Sequence, residues 1–250
     1  MSPGDALLVG ASGLLAGGVN AVAGGGTLVS FPALLAVGLP PVVANVTSSV
    51  GLLSGYAGGS LAYRRELADQ GHRVRALLPF AVIGAVAGAV LLLITPEDAF
   101  RALVPYLVLT SCALLAVQPR LARQLAVRRA GTPGVPWTAR VAVGVGAVYG
   151  SYFGAGLGVL LLAVLGILVA DELQRLNALK GVLSLLVNVV GVVVFVVSAR
   201  VAWSYAALLA VTAFAGGTLG VSVARRLPNA VMRAAVIALG TVVGVVLLVS

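Results

Sequence analysis

The sequence predicts an all-α polytopic membrane protein with two inverted-topology repeats, each a broken or re-entrant helical hairpin followed by three transmembrane helices. First, 60% of the 250 residues are hydrophobic and only 9% are charged, which lies outside the range of soluble domains. Second, glycine clusters interrupt two of the apolar segments. Third, a single sequence offset aligns the second half of the chain with the first.

The first repeat is predicted to occupy residues 1–117. Its apolar stretch 6–39 contains the run Gly24, Gly25 and Gly26, and each glycine inside a helix costs about 1 kcal/mol relative to alanine. The part after these glycines is shorter than the roughly 20 residues that a span needs, so we expect 6–39 to form a broken or re-entrant hairpin. Spanning helices are predicted at 42–63, 76–95 and 99–117.

The second repeat is predicted to occupy residues 138–250 with the same order of elements. A basic linker, residues 118–137, separates it from the first repeat and ends in a run rich in proline and glycine. The hairpin 138–169 is interrupted near Gly154 by a second glycine cluster. Its spanning helices are predicted at 174–198, 202–223 and 229–249.

A constant offset indicates that the chain arose by internal duplication. Shifting the sequence by 132 residues aligns asparagine, proline, arginine and glycine without a gap. Agreement of several residue types at one offset is typical of transporters built from structural repeats. The aligned pairs are Asn45 and Asn177, Pro96 and Pro228, Arg101 and Arg233, Gly84 and Gly216, and Gly88 and Gly220.

Charge predicts the orientation of each repeat. Basic residues concentrate at 64–75, 120–140 and 225–233, and cytoplasmic loops are enriched in Lys and Arg, so we expect all three regions to face the cytoplasm. Arg64 and Arg65 align with the uncharged positions 196 and 197, which indicates that one repeat is inverted relative to the other. The linker is therefore predicted to lie inside and both termini outside.

The composition also disfavours several functional classes. The net charge of +9 comes from arginines clustered between apolar runs, so nucleic acid is not an expected partner. All seven acidic residues lie at predicted segment ends or in loops, which disfavours a cation transporter with a carboxylate relay. The single cysteine, Cys112, and the single histidine, His72, offer neither a thiolate metal site nor His-based catalysis. We therefore predict no enzyme activity, no catalytic or metal-binding residue and no cofactor.

The two glycine breaks are candidate anion sites. A short helix that begins near Thr27 would present unpaired N–H groups and the positive end of its dipole. The same holds for a helix that begins within Gly154–Gly158, and two inverted repeats would direct both helix starts at one central point. The alternative is that each glycine cluster produces only a kink.

A matched polar stripe follows each hairpin. On the helix after the first hairpin, Asn45, Ser48, Leu52 and Tyr56 share one face, and Ser49 flanks it. The offset aligns these four positions with Asn177, Lys180, Ser184 and Asn188 on the helix after the second hairpin. Such side chains can also bond neighbouring helices. Lys180 is the only lysine in the chain, and a charged group in a membrane helix is by default a functional hypothesis. The alternative for this lysine is snorkelling toward the membrane surface.

Four segments resemble the TauE/SafE family of sulfite and organosulfonate exporters. They are the glycine-rich break with Thr27 and Pro32, residues 44–49 (Ala-Asn-Val-Thr-Ser-Ser), residues 149–156 (Tyr-Gly-Ser-Tyr-Phe-Gly-Ala-Gly) and residues 177–180. The resemblance covers essentially the whole chain, including the duplication. It implies a permease of the bacterial cytoplasmic (inner) membrane that moves small sulfur-containing or carboxylate anions, and it alone implies export.

The leading hypothesis is a secondary transporter, an exporter, of small sulfur-containing or organic anions such as sulfite or sulfonates, working by alternating access. An anion channel and a non-transporting membrane scaffold subunit are the alternatives. The expected partners are a small anionic substrate and the lipid bilayer, and a homodimer is compatible with the sequence. The predicted substrate-binding residues are Asn20, Gly24, Gly25, Gly26, Thr27, Asn45, Ser48, Ser49, Tyr152, Gly154, Gly156, Gly158, Asn177 and Lys180.

Overall fold

The predicted all-α class is confirmed by the computed structural model, which describes residues 1–22, 24–62, 67, 69–126, 134–169, 171–224 and 229–249. These ranges contain ten α-helices. In chain order they are α1 (Pro3–Val22), α2 (Thr27–Ala36), α3 (Pro41–Ala62), α4 (Gly71–Ile94), α5 (Glu97–Ala126), α6 (Trp137–Tyr152), α7 (Leu157–Leu168), α8 (Leu173–Ser198), α9 (Trp203–Ala224) and α10 (Asn229–Val249).

Helix length and composition fit a lipid environment. Among the described residues, Gly71–Ile94, Glu97–Arg120 and Gln174–Ser198 are long and apolar enough to cross a bilayer. Helices α2 and α7 are apolar but have only 10 and 12 residues, which at 1.5 Å per residue span about half of the hydrocarbon core. Large apolar side chains such as Ile83, Val145 and Val211 face outward, as lipid contact requires.

Helix α5 is longer than predicted. The sequence favoured an end at residue 117 and a linker from 118, but the helix continues to Ala126 through Pro119. The reason is that residues 118–126 are mostly Leu, Ala, Arg and Gln, which are good helix formers whether or not they lie in lipid. Residues 127–133 of the predicted linker, and the arginines 64, 65, 225 and 226, lie outside the described residues.

Glycines bring pairs of helices into backbone contact. A Cβ on Gly17 of α1 would lie 2.1 Å from the Ala213 oxygen of α9, and one on Gly216 of α9 would lie 2.0 Å from the Leu14 oxygen of α1. Helix α4 packs on α6 in the same way, because a Cβ on Gly88 would lie 2.1 Å from the Val148 oxygen. Small residues at such crossings let membrane helices approach closely.

Polar contacts between helix termini define two ends of the molecule. We call the end near residues 40–47 and 199–202 the A end, where the Ala202 N–H donates to Thr47 Oγ1 at 3.1 Å. The B end lies near residues 69–73 and 171–175, where Arg175 Nη1 donates to Asp69 Oδ2 at 2.9 Å. Since α3 starts and α8 finishes at the A end, these two helices run in opposite directions.

Candidate functional site

The first glycine break separates α1 from α2. Gly24 has a φ of +76°, a backbone conformation that glycine adopts without strain, and its N–H donates to the carbonyl oxygens of Val19 and Asn20 at 3.2 Å. This closes the last turn of α1 in the manner of a left-handed helix cap. The N–H groups of Gly25, Gly26 and Thr27 have no acceptor among the described residues, so the start of α2 presents free donors.

The second break repeats this arrangement between α6 and α7. Gly154 and Gly156 have φ values of +80° and +78°, and the Phe153 and Gly154 N–H groups donate to the Tyr149 oxygen at 3.0 and 3.4 Å. Within the described part of the chain, the N–H groups of Gly156 and Gly158 have no acceptor. Gly24 and Gly156, both left-handed, are related by the sequence offset that aligns the two halves.

The two breaks touch each other. A Cβ on Gly24 would lie 3.0 Å from the Gly158 Cα, and a Cβ on Gly154 would lie 3.7 Å from Thr27 Oγ1. Beside this junction the rings of Phe31 and Phe153 meet edge to face, with centroids 5.4 Å apart. The starts of α2 and α7, each with the partial positive charge of a helix N-terminus, are therefore neighbours.

Lys180 lies at the same junction. Its Cδ is 3.7 Å from a Cβ placed on Gly158, and the residue is partly buried on α8. The ion pairs found among the described residues join Arg73 and Arg175 to Asp69 and Asp171, and none includes Lys180. A lysine and two helix starts thus share a region in which the described residues supply no counterion.

Further polar side chains at the junction are buried without hydrogen-bond partners among the described residues. Asn20 is 8% exposed and neither of its amide atoms is bonded, and its Cβ lies 3.1 Å from a Cβ placed on Gly26. Ser184 is 2% exposed with an unbonded Oγ, one turn beyond Lys180 on α8. The Tyr56 hydroxyl lies beside the amides of Asn20 and Asn188, although Asn20 does not reach hydrogen-bond geometry.

Other predicted site residues are hydrogen-bonded to protein instead. Asn45 Nδ2 donates to the Tyr152 carbonyl oxygen at 2.9 Å, the Ser48 and Ser30 hydroxyls share a bond of 2.6 Å, and Ser49 donates to the Asn45 oxygen at 3.0 Å. The first two of these bonds join α3 to α6 and to α2, whereas the third lies within α3. Asn45 Oδ1 has no partner among the described residues. Asn177 is partly buried one turn before Lys180.

A hydroxyl pair that sequence reasoning missed fixes the second break. Ser111 Oγ of α5 and the Tyr149 hydroxyl of α6 lie 3.0 and 2.8 Å from the Ala155 carbonyl oxygen, and 2.7 Å from each other. A Cβ on Gly156 would lie 3.6 Å from the Ser111 Cα. The only available signal was a serine within an otherwise apolar helix, since a buried hydroxyl must find a partner.

A charged network at the B end was also missed, because its members are distant in sequence. Arg73 and Arg175 both bind Asp171, and Arg175 also binds Asp69. Burial raises the pKa of Asp171, but hydrogen bonds from Arg175 and Arg73 outweigh that effect and lower it. The hydrogen bond from Arg175 likewise lowers the pKa of Asp69. The network joins the start of α4 to the start of α8.

Comparison with known proteins identifies the family. The sequence profile described as "Sulfite exporter TauE/SafE" matches residues 9–247. The chain is 26% identical over 211 residues to the "Probable membrane transporter protein YfcA" of Escherichia coli K12, covering 83% of this chain and 76% of the relative. It is 24% identical over 208 residues to a "Probable membrane transporter protein" of Haemophilus influenzae, covering 83% and 80%.

A third relative, the "Probable membrane transporter protein ORF9" of a Sinorhizobium species, is 32% identical over 111 residues, which cover 43% of this chain and 41% of the relative. No solved structure matches the chain. These relatives are named as transporters and not as enzymes. The profile match spans nearly the whole sequence, so the chain belongs to the sulfite exporter TauE/SafE family of multi-pass membrane proteins.

Proposed function

We propose that the protein is a secondary transporter of small sulfur-containing or organic oxyanions, working by alternating access between two inverted halves. One observation carries this proposal. The two glycine breaks meet beside Lys180, and the helix starts at this junction present N–H groups with no acceptor among the described residues.

Helix directions support inverted, re-entrant hairpins. Helix α1 starts at the A end, where the Tyr205 hydroxyl lies 3.3 Å from Asp5 Oδ2, and α2 returns there, since Leu35 and Pro41 line one cavity. Helix α7 instead leads to Asp171 at the B end. The first hairpin would then enter and leave at one end and the second at the other, and their tips would meet at depth.

The chemistry of the junction favours an anion. Free N–H groups at helix starts bind oxyanions, and a buried ammonium adds a charge-assisted hydrogen bond. Placing a lysine at the centre of a membrane helix costs about 3 kcal/mol, and a bound anion would offset part of that cost. The described acidic residues lie at helix ends, away from this junction.

In this proposal the substrate class and the direction of transport are taken from the family description. Sulfite export is what that description names, and sulfite or a sulfonate fits a site built from N–H donors and one lysine. The B end, with Arg73, Arg75 and the basic linker, would face the cytoplasm by the positive-inside rule. The A end would then face outward across the bacterial inner membrane.

Sulfite flux in proteoliposomes tests the proposal. The wild type should show saturable uptake and counterflow, and Lys180→Ala should abolish both while expression and folding are retained. Lys180→Arg should rescue only in part, because the guanidinium is bulkier and planar. Arg120→Ala, which removes an exposed cation on α5, is the control and should transport normally.

Other outcomes would contradict the proposal in distinguishable ways. Non-saturating current that varies linearly with voltage, without counterflow, would identify an anion channel. Normal flux in Lys180→Ala would remove this lysine from the site. The absence of any flux or anion binding by the folded wild type would favour a scaffold subunit.

A further inference from the structure

We propose that the anion is held on the α1–α8 side of the junction, with Asn20 and Ser184 as direct ligands beside Lys180, and that Asn45 and Ser48 of α3 serve to join helices. This inference rests on the proposed function and identifies which side chains perform it. It differs from the sequence-based site, which included Asn45, Ser48 and Ser49 and omitted Ser184.

Contacts and helical spacing link the two helix starts and the polar side chains beside them into a ring. Gly158 touches both Gly24 and the Lys180 side chain, and Gly26 touches Asn20. From Lys180 the ring continues along one face of α8 through Ser184, four residues on, and Asn188, a further four. The Tyr56 hydroxyl beside Asn188 and Asn20 closes it. Two helix starts and five polar side chains therefore belong to this ring, which extends about 12 Å along α8 from Lys180 to Asn188.

Hydrogen-bond donors are in use on the α3 side of this ring. Asn45 Nδ2 donates to the backbone oxygen of Tyr152, and Ser49 Oγ donates to the backbone oxygen of Asn45. The Ser48 and Ser30 hydroxyls bond to each other, and Ser30 Oγ also donates to the Gly26 carbonyl oxygen at 3.4 Å. Both hydroxyl hydrogens therefore have an acceptor. An anion binds donors, so apart from the second N–H of Asn45 Nδ2 it would have to break bonds that already exist here.

Donors on the α8 side are free among the residues that the structure describes. Ser184 Oγ and both amide atoms of Asn20 are buried and unbonded. Ser151 Oγ of α6 is also buried and unbonded, and it faces Gly191 of α8. An unsatisfied buried polar group costs about 1 to 3 kcal/mol, and such groups are uncommon in native proteins unless a ligand or ion completes them.

The donor set also indicates the shape of the ligand. Lys180 and the N–H groups of α2 and α7 could hold any small anion, including a halide. The Ser184 hydroxyl and the Asn20 amide belong to different helices, α8 and α1, so both add affinity only if the ligand carries several acceptor oxygens. We therefore expect these two residues to favour oxyanions such as sulfite over chloride.

Calorimetric titration of the purified full-length protein with sulfite, and separately with chloride, tests this assignment. Ser184→Ala should weaken sulfite binding about tenfold or more, the loss expected for a hydrogen bond to a charged group, and leave chloride affinity nearly unchanged. Asn20→Asp is almost isosteric but places a negative charge in the ring, and it should abolish sulfite binding. Ser184→Thr keeps the hydroxyl and should retain binding.

Ser48→Ala is the matched control, because it removes a buried serine hydroxyl that is already bonded. It should lower the melting temperature but change sulfite affinity less than about twofold. Wild-type sulfite affinity in both Ser184→Ala and Asn20→Asp, with loss in Lys180→Ala, would overturn the ligand assignment while the proposed function stands. A folded wild type that binds neither sulfite nor a sulfonate would overturn both.

Discussion

At the scale of single residues, the proposed site depends on glycines whose backbone conformation other residues do not adopt easily. Gly24, Gly154 and Gly156 have positive φ values, and each lies where one helix ends and a second begins. A Cβ on Gly24 would lie 3.0 Å from the Gly158 Cα and one on Gly158 would lie 3.2 Å from the Gly24 Cα, so a side chain on either would push the two breaks apart. Conformation and contact together bring the two helix starts to one point.

Gly24→Ala should therefore abolish sulfite binding. The new methyl group meets the Gly158 Cα at 3.0 Å, in a left-handed conformation that costs alanine about 1 to 2 kcal/mol. Gly38→Ala is the matched control, since Gly38 has a φ of +85° with no atom within 4 Å. It should lose similar stability, measured by thermal melting, yet bind sulfite normally. Equal sulfite affinity in both variants would show that the junction is not the site.

The side chains around these glycines could be predicted only in part. Lys180 was identifiable because it is the single lysine of an apolar chain. Asn45 and Ser48 looked equally suitable, but their partners are Tyr152 and Ser30, which lie elsewhere in the sequence. Ser184 shares the predicted polar face of Lys180 but was not among the predicted ligands, because a hydroxyl in a helix usually bonds within that helix. Only the three-dimensional contacts show which donors are free.

At the scale of helices, apolar length and glycine punctuation predicted most of the observed bounds. The two short helices α2 and α7 follow glycine breaks as expected. The prediction was wrong at the end of α5, because polar residues were interpreted as a loop although they are good helix formers. The charged network between α4 and α8 was not predicted, since it joins residues almost one hundred positions apart, as Arg73 and Asp171 are.

This network predicts the effect of neutralising its central carboxylate. Asp171→Asn leaves the buried Arg73 without its counterion and should destabilise the fold by about 2 kcal/mol, measured by thermal or denaturant unfolding. Asp69→Asn is the control and should have little effect, because Asp69 is exposed and its ion-pair partner among the described residues is Arg175. Similar losses in the two variants would contradict a special role for the buried pair.

The acid dependence of stability follows from the same group. Folding lowers the pKa of Asp171 below its ordinary value of 3.8, so the stabilisation that its carboxylate provides to the fold is complete at pH values well above 3.8. The contribution is lost as the pH falls through the folded pKa. The wild type should therefore lose stability more steeply than Asp171→Asn below about pH 4. Parallel melting curves of the two proteins across this range would contradict the assignment.

At the scale of the whole molecule, α3 starts at the A end and α8 finishes there, so these two helices run in opposite directions. This arrangement supports the proposal that each hairpin opens toward a different side of the membrane, and that alternate exposure of one shared junction moves the substrate. The sequence offset predicts the duplication and, with it, the convergence of the two helix starts on one point. Each break alone is compatible with a simple kink.

The proposed orientation predicts which residues are accessible from outside the cell. In a Cys112→Ser background, Ser2→Cys at the A end should react with a membrane-impermeant maleimide on intact cells. Arg120→Cys, near the B end of α5, should react only after permeabilisation. The reverse pattern would show that the protein is inserted in the opposite sense.

The junction itself can be located with selenite, which shares the pyramidal shape of sulfite and carries an anomalous scatterer. In crystals of the wild-type protein grown with selenite, we predict one anomalous peak enclosed by Gly26, Gly158, Ser184 and Lys180. A peak found only elsewhere, such as in the cavity of about 820 Å³ at the A end that Arg101 lines, would contradict the proposed site. So would the absence of any peak while the same protein transports sulfite.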